Sequence, residues 1–302
     1  MFQKILFATS ATEACDHAAR VAFDMADRYQ SHLTVFHVLG VPTRAYSQVV
    51  VDIRTGDKVI LDDDYRSWVE EEVKIHYAKQ LETAPETSIE VAVGLPHREI
   101  LRKARDTQPD LIVMGGSTGR DEESAYKRSV AGSTLQRVAK VAACPVLVIT
   151  RPAASFWGGF SNVVFGTDFS RASDNAFDFA VKLARQLNCD LHLFHALDIS
   201  AMHAGKLADQ DEIEDQIRAA LKQMRRRYLK RVKDLPNISI EVWEGLPYVE
   251  IVKYAREKQA DLIVMAHHTS AAQLGEARLG SVMEQVMVRA GCPVISVNRS
   301  IS

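Results

Sequence analysis

The chain repeats itself at about half its length. LTVFHV, which holds Phe36 and His37, returns as LHLFHA with Phe194 and His195, a shift of 158. VAVGLPHREI, with Gly94 and Pro96, returns as VWEGLPYVEI, with Gly245 and Pro247, and DLIVM from Asp110 returns from Asp261, both shifted by 151. Gly132-Ser133 returns as Gly280-Ser281 and Cys144-Pro145-Val146 as Cys292-Pro293-Val294, both shifted by 148. A period near 150 residues is far longer than a solenoid unit, so it marks two duplicated domains. The expected division is 1–150 and 162–302, joined by a linker at 151–161, RPAASFWGGFS, where Pro152, Gly158 and Gly159 break regular structure. The aromatics Phe156, Trp157 and Phe160 predict that the linker packs against a domain.

Each copy alternates short apolar runs with helical stripes. The runs are ILFA, LTVF, IEVAV, LIVM and PVLVI, then VVF, LHLF, ISIEV, LIVM and PVISV. Uninterrupted β-rich runs read as strands buried on both faces. Ala14, Ala18, Val21, Ala22, Met25 and Ala26 fall at helical spacing, as do Ala176, Phe179, Ala180, Leu183, Ala184 and Leu187. Right-handed crossovers close such alternation into an α/β fold of two tandem open parallel sheets, five runs each, with helices on both faces. Ligands in such folds sit beyond the carboxyl ends of the strands.

Composition narrows the function. With 47% apolar and 25% charged residues and no run near the roughly 20 apolar residues of a membrane span, disorder, collagen-like structure and membrane insertion are excluded. Met1 to Ser10 lack a secretory signal pattern, which predicts a cytoplasmic protein. A formal charge of −2 supplies no global basic field, so nucleic acid is not an expected partner. Cys15, Cys144, Cys189 and Cys292 show no paired spacing for zinc or redox chemistry and read as structural thiols.

One loop has the chemistry of an anion site. DLIVM runs into GGSTGR, where Gly116 and Gly119 frame a turn, and after an acidic insert Gly132-Ser133-Thr134 open the next helix. Glycines let backbone amides approach an anion, and a helix start adds free amides with a favourable dipole. Glycines after a strand are also ordinary turn residues.

Both halves resemble universal stress protein domains, from Lys4 to Thr150 and from Asn162 to Asn298. The likeness rests on KILFATSAT and NVVFGTDFS, the runs ending FHV and FHA, the Gly-x-Pro turn, DLIVM, Gly-Ser and the CPV strand, in the same order twice. The resemblance implies a five-stranded sheet like that of adenine nucleotide alpha hydrolases, and a ligand that is ATP or AMP, with Mg²⁺ as an accompanying ion. It carries the site onto Ser10, Val38, Gly115, Gly116, Gly119, Gly132, Ser133 and Thr134, and onto Asp168, Gly280 and Ser281. Three departures stand out. Twelve residues, including Asp121, Glu122 and Glu123, separate Gly119 from Gly132, where the family has about nine. Ser10 stands where the family has an adenine-side aspartate, and that aspartate survives only as Asp168. In the second copy the glycine loop has become Ala266, His267, His268 and Thr269. Binding is therefore expected mainly in the N-terminal half, with the C-terminal half as a structural partner.

The remaining features read blandly. Side chains of consecutive residues such as His267 and His268 diverge, so only one of them could join Asp168 on a metal, and no third ligand is evident. His37 and His195 read as rings packed at strand ends. Arg225, Arg226 and Arg227 on a long helix from Asp211 to Asp234 read as a solvated face, and the matching region Asp62 to Leu81 is acidic. No Walker loop and no base beside a nucleophile is evident, so the expectation is a non-catalytic stress-response protein. A slow ATPase and a ligand-free scaffold stay open as alternatives. The apolar strands PVLVIT and PVISVN predict that the halves pair within the chain, and a homodimer stays open too.

Overall fold

The computed structural model describes residues 1–40, 49–51, 58–60, 63–84, 86–116, 133–150, 159–198, 209–235, 237–267 and 281–298. In the N-terminal half the elements are β1 (Lys4–Thr9), α1 (Asp16–Tyr29), β2 (His32–Gly40), β3 (Val49–Val51), β4 (Lys58–Ile60), α2 (Asp63–His76) and α3 (Ala78–Leu81). β5 (Thr87–Gly94), α4 (Pro96–Thr107), β6 (Leu111–Gly115), α5 (Ser133–Val141) and β7 (Val146–Ile149) complete it. The C-terminal half has β8 (Asn162–Gly166), α6 (Arg171–Leu187), β9 (Asp190–Leu197), α7 (Gln210–Arg227) and β10 (Ile238–Glu244). It ends with α8 (Pro247–Glu257), β11 (Leu262–Ala266), α9 (Ser281–Arg289) and β12 (Val294–Val297).

Local chemistry sets these boundaries. α4 and α8 each begin on a proline, whose fixed φ suits a first helical turn and whose missing N–H would be unpaired there anyway. α1, α4 and α6 end on Gln30, Gln108 and Asn188, all left-handed. Ser170 caps α6 by accepting a bond from the Ser173 amide at 3.1 Å, a device worth about 1 kcal/mol. The long helix expected from Asp211 to Asp234 stops at Arg227, where Tyr228 leaves the helical path, and the matching region breaks at Tyr77 between α2 and α3.

Each half is a five-stranded parallel sheet, and the two join into one ten-stranded sheet in the order β10-β9-β8-β11-β12-β7-β6-β1-β2-β5. The joint is antiparallel: Leu147 faces Ile295, flanked by Val148 with Val294 and Val146 with Ser296. Residues 147 and 295 are equivalents in the repeat, so a pseudo-twofold axis passes between them. The bonds around it are reciprocal, as isologous contacts must be. Thr150 Oγ1 donates to the Met287 carbonyl at 2.8 Å, and Asn298 Nδ2 donates to that of Ala139, the equivalent of Met287, at 2.5 Å. Gln136 Nε2 donates to Glu284 Oε1, its own equivalent, at 2.5 Å. The apolar final strands thus cover each other, as their composition predicts.

Helices α1, α2 and α6 cover one face of the sheet, and α4, α5, α8 and α9 the other, each over one apolar layer that runs through both halves. Phe160, the described aromatic of the linker, is buried against Phe2 at a centroid distance of 6.4 Å. Two runs depart from expectation. IEVAV and ISIEV lie in β5 and β10, the outermost strands, and most of their side chains are only half-buried. Their central glutamates, Glu90 and Glu241, pair with Lys103 and Lys258 at 2.6 and 2.7 Å, which a strand covered on both faces would not permit. The cysteines are free, and burial pushes the thiols of Cys144, Cys189 and Cys292 up to about 12, which keeps them protonated and unreactive at neutral pH.

Candidate functional site

The carboxyl strand ends of both halves are built on one frame, a threonine, a tyrosine and a histidine. In the N-terminal half Thr9, the last residue of β1, bonds Tyr77 OH through Oγ1 at 2.6 Å, and its carbonyl accepts from His37 Nδ1 at 3.0 Å. In the C-terminal half Thr167 bonds Tyr228 OH at 2.8 Å, and His195 Nδ1 donates to its carbonyl at 2.8 Å. The same hydroxyls accept from the amides of Ala11 and Phe169, each at positive φ. Burial holds both histidines below the ordinary imidazole range, so they are neutral at pH 7 and Nε2 remains an acceptor. The threonines and tyrosines escaped the reading of the sequence, although each pair obeys the repeat shifts of 158 and 151.

On this frame the second half opens a cavity of about 260 Å³. Its walls include Thr167, Asp168, His195, Ala196, Ala266 and His267, with Val282 and Met283 of α9 across from them. Three positions that line it carry smaller side chains than their repeat equivalents. Where the N-terminal half has Ala8, Cys15 and Val38, this half has Gly166, Ser173 and Ala196, all smaller and all lining the cavity. Asp168 sits exposed at the rim, its Oδ1 accepting from the Ser170 amide at 2.9 Å and from Ser173 Oγ at 2.5 Å. Arg227 pins this turn from α7, bonding both oxygens of Asp174 and the carbonyls of Phe169 and Ser170. Arg227 is therefore a brace for the Asp168 turn and not part of a purely solvated face. Its equivalent in the first half is His76, bonded to Asp16 at 3.1 Å.

The N-terminal site residues have a different setting. Ser10 is exposed and bonds Thr12 Oγ1 at 2.8 Å and Cys15 Sγ at 3.2 Å. Cys15 in turn lies against Gly115, so Ser10 and Gly115 share one patch. A Cβ on Gly115 would come 3.2 Å from Cys15 Sγ, and one on Gly116 would lie 2.2 Å from Thr150 Cγ2. Both glycines thus have a packing reason to be glycine, Gly116 because it lies under the residue that bonds across the joint. Val38 is half-buried on β2 opposite Ala92 of β5, and Thr134 is half-buried in the first turn of α5. Ser133 and Ser281 open α5 and α9, while Gly119, Gly132, Gly280 and His268 lie outside the described residues. Among the described residues, no group of three or more His, Cys, Asp or Glu could hold a metal ion, and no helix is long and apolar enough to cross a membrane.

In parallel α/β sheets ligands sit beyond the carboxyl ends of the strands, which is where the cavity of the C-terminal half lies. The profile of the Universal stress protein family matches the chain twice, over residues 1–150 and 159–298, and the chain belongs to that family. It is 32% identical over 145 residues to Universal stress protein MJ0531 of Methanocaldococcus jannaschii, covering 46% of this chain and 83% of that one. Universal stress protein MJ0577 of the same organism is 27% identical over 160 residues, covering 47% and 98%. A universal stress protein structure from Archaeoglobus fulgidus DSM 4304 matches with a TM-score of 0.68 at 20% identity, covering 99% of this chain and all of that one. That likeness is one of fold, and it spans both halves.

Proposed function

We propose that the protein binds an adenine nucleotide, ATP or AMP, at the carboxyl ends of its parallel strands and acts through conformation or association without efficient turnover. The observation that carries this is the cavity of the C-terminal half, apolar in its depth, with the Asp168 carboxylate at the rim and the His195 imidazole in its wall. Its volume of about 260 Å³ falls just below the ~300–1,000 Å³ typical of small-molecule pockets, which suits a base and sugar and leaves the phosphates outside. The base site therefore moves to the half that the sequence favours less. The glycine-rich segment 115–119 with Gly132 keeps the N-terminal half as the competing phosphate site. Among the described residues of the cavity wall there is no lysine or arginine to neutralise charge on a leaving phosphate.

Native mass spectrometry of the purified chain, followed by calorimetry with ATP and AMP, tests the proposal. Asp168→Asn and Ala196→Leu should each weaken binding at least tenfold. Loss on Gly132→Val with no effect of those two would move the nucleotide to the N-terminal half. No binding at millimolar nucleotide, or sustained hydrolysis near 1 per second, within the range of ordinary enzymes, would overturn it.

A further inference from the structure

At the amino ends of the C-terminal strands, away from the cavity, a second polar cluster has the geometry of an activated nucleophile. His192 on β9 lies opposite Ser239 on β10 in the sheet register. Its Nδ1 is 2.7 Å from Ser239 Oγ, and its Nε2 is 3.4 Å from Asn162 Oδ1 on β8. A carbonyl oxygen only accepts, so the proton sits on Nε2, Nδ1 presents its lone pair, and the Ser239 hydroxyl donates to it. Tyr254 OH on α8 stands 3.1 Å from the same Oγ.

We propose that Ser239 is a nucleophilic serine that accepts acyl groups from small activated esters, with His192 as its general base, Asn162 orienting the ring and Tyr254 donating to the developing oxyanion. Two further facts suit these roles. Burial, and after it the Lys258 ammonium, hold His192 below the usual imidazole range, so the free base predominates at neutral pH. Burial pushes the Tyr254 phenol up to about 12, which keeps its proton available for donation. β10 is an outermost strand and Ser239 is half-buried, so the hydroxyl is approached from the sheet edge. In the step itself Oγ attacks the ester carbonyl carbon and its proton passes to Nδ1. The bond from that carbon to the leaving oxygen then breaks, giving acyl-Ser239, the released alkoxide or phenolate, and an imidazolium that returns its proton to solvent.

The duplicated chain carries its own control. Ser88 is the repeat equivalent of Ser239, but Thr34 stands in place of His192 and Lys103 in place of Tyr254. Among the described residues Ser88 Oγ bonds only the Thr34 hydroxyl, at 3.2 Å, so it has the same backbone setting without a histidine base.

The test is a time course of the full-length protein with p-nitrophenyl acetate, read as site-resolved acetylation by peptide mass mapping. Acetylation of Ser239 should outpace that of Ser88 by about 100-fold, the lower range for a positioned general base. His192→Ala should bring the Ser239 rate down to that of Ser88, and Tyr254→Phe should slow it about tenfold. Equal labelling of the two serines, or no adduct at Ser239, would overturn the proposal, as would a His192→Ala rate equal to wild type. The ratio within the unaltered protein decides the matter even where a variant fails to fold.

Discussion

Replacing Gln136 by glutamate sets two carboxyl groups against each other across the joint between the halves. Gln136 is 7% exposed and its Nε2 lies 2.5 Å from Glu284 Oε1, so the new group has no room to turn toward water. Two charges about 3 Å apart repel by about 5.5 kcal/mol at an effective dielectric of 20. Keeping one proton on the pair costs less, about 1.36 kcal/mol for each pH unit above ~4.3. The proton is therefore retained, and one carboxyl replaces the amide as donor. A folded-state carboxyl raised in this way contributes stability that is full below the unfolded value and is lost as pH rises. The deficit against wild type should be about 1 kcal/mol at pH 5, about 2.3 at pH 6 and about 3.7 at pH 7. Urea denaturation at the three pH values measures it directly. A deficit that is the same at all three, or none at pH 7, would refute the reasoning, whereas Gln136→Met should show a pH-independent loss.

Gly116→Ala should destabilise by about 1–3 kcal/mol because its Cβ meets Thr150 at 2.2 Å, while Gly291→Ala, with nothing within 4 Å, should stay within about 0.5 kcal/mol in the same denaturation assay. Tyr228→Phe and Tyr77→Phe each remove a buried hydroxyl bonded to threonine and should cost about 1–2 kcal/mol, read from thermal or urea unfolding. With their thiols pushed up to about 12, Cys144, Cys189 and Cys292 should alkylate with iodoacetamide far more slowly at pH 7.5 than a free thiol does, and the mass shift over hours will show it.

The strands and the pairing of the halves were legible because they depend on local apolar runs and on two recurring end strands. Site chemistry was less so, for physical reasons that individual residues make plain. Gly116 looks the same in a sequence whether it clears space for a phosphate or for Thr150, because the colliding side chain lies 34 positions away, just past the end of β7. Gly166, Ser173 and Ala196 line the cavity of the C-terminal half, and none of these residues carries a chemical signal by itself. Tyr77 and Tyr228 sit at helix ends in segments whose charged residues dominate the reading, so only the partner threonine reveals their purpose. Asp168 was visible through the family resemblance, and His195 because the repeat sets it, like His37, at a strand end.

Covalent continuity changes what the joint has to withstand. Twelve residues separate the end of β7 from the start of β8, so each half meets the other at an effective concentration on the order of millimolar. Separate subunits at about a micromolar would face a thousandfold dilution, equivalent to about 4 kcal/mol of association energy. The fused joint can therefore tolerate an unmatched group such as the buried Ser296 hydroxyl, which has no partner among the described residues and stands one residue from the axis of the contact. It also frees the two halves to drift apart. In a homodimer every substitution appears twice about the axis, whereas here Gln136 can face a glutamate and Asp168 can have a serine, Ser10, as its counterpart.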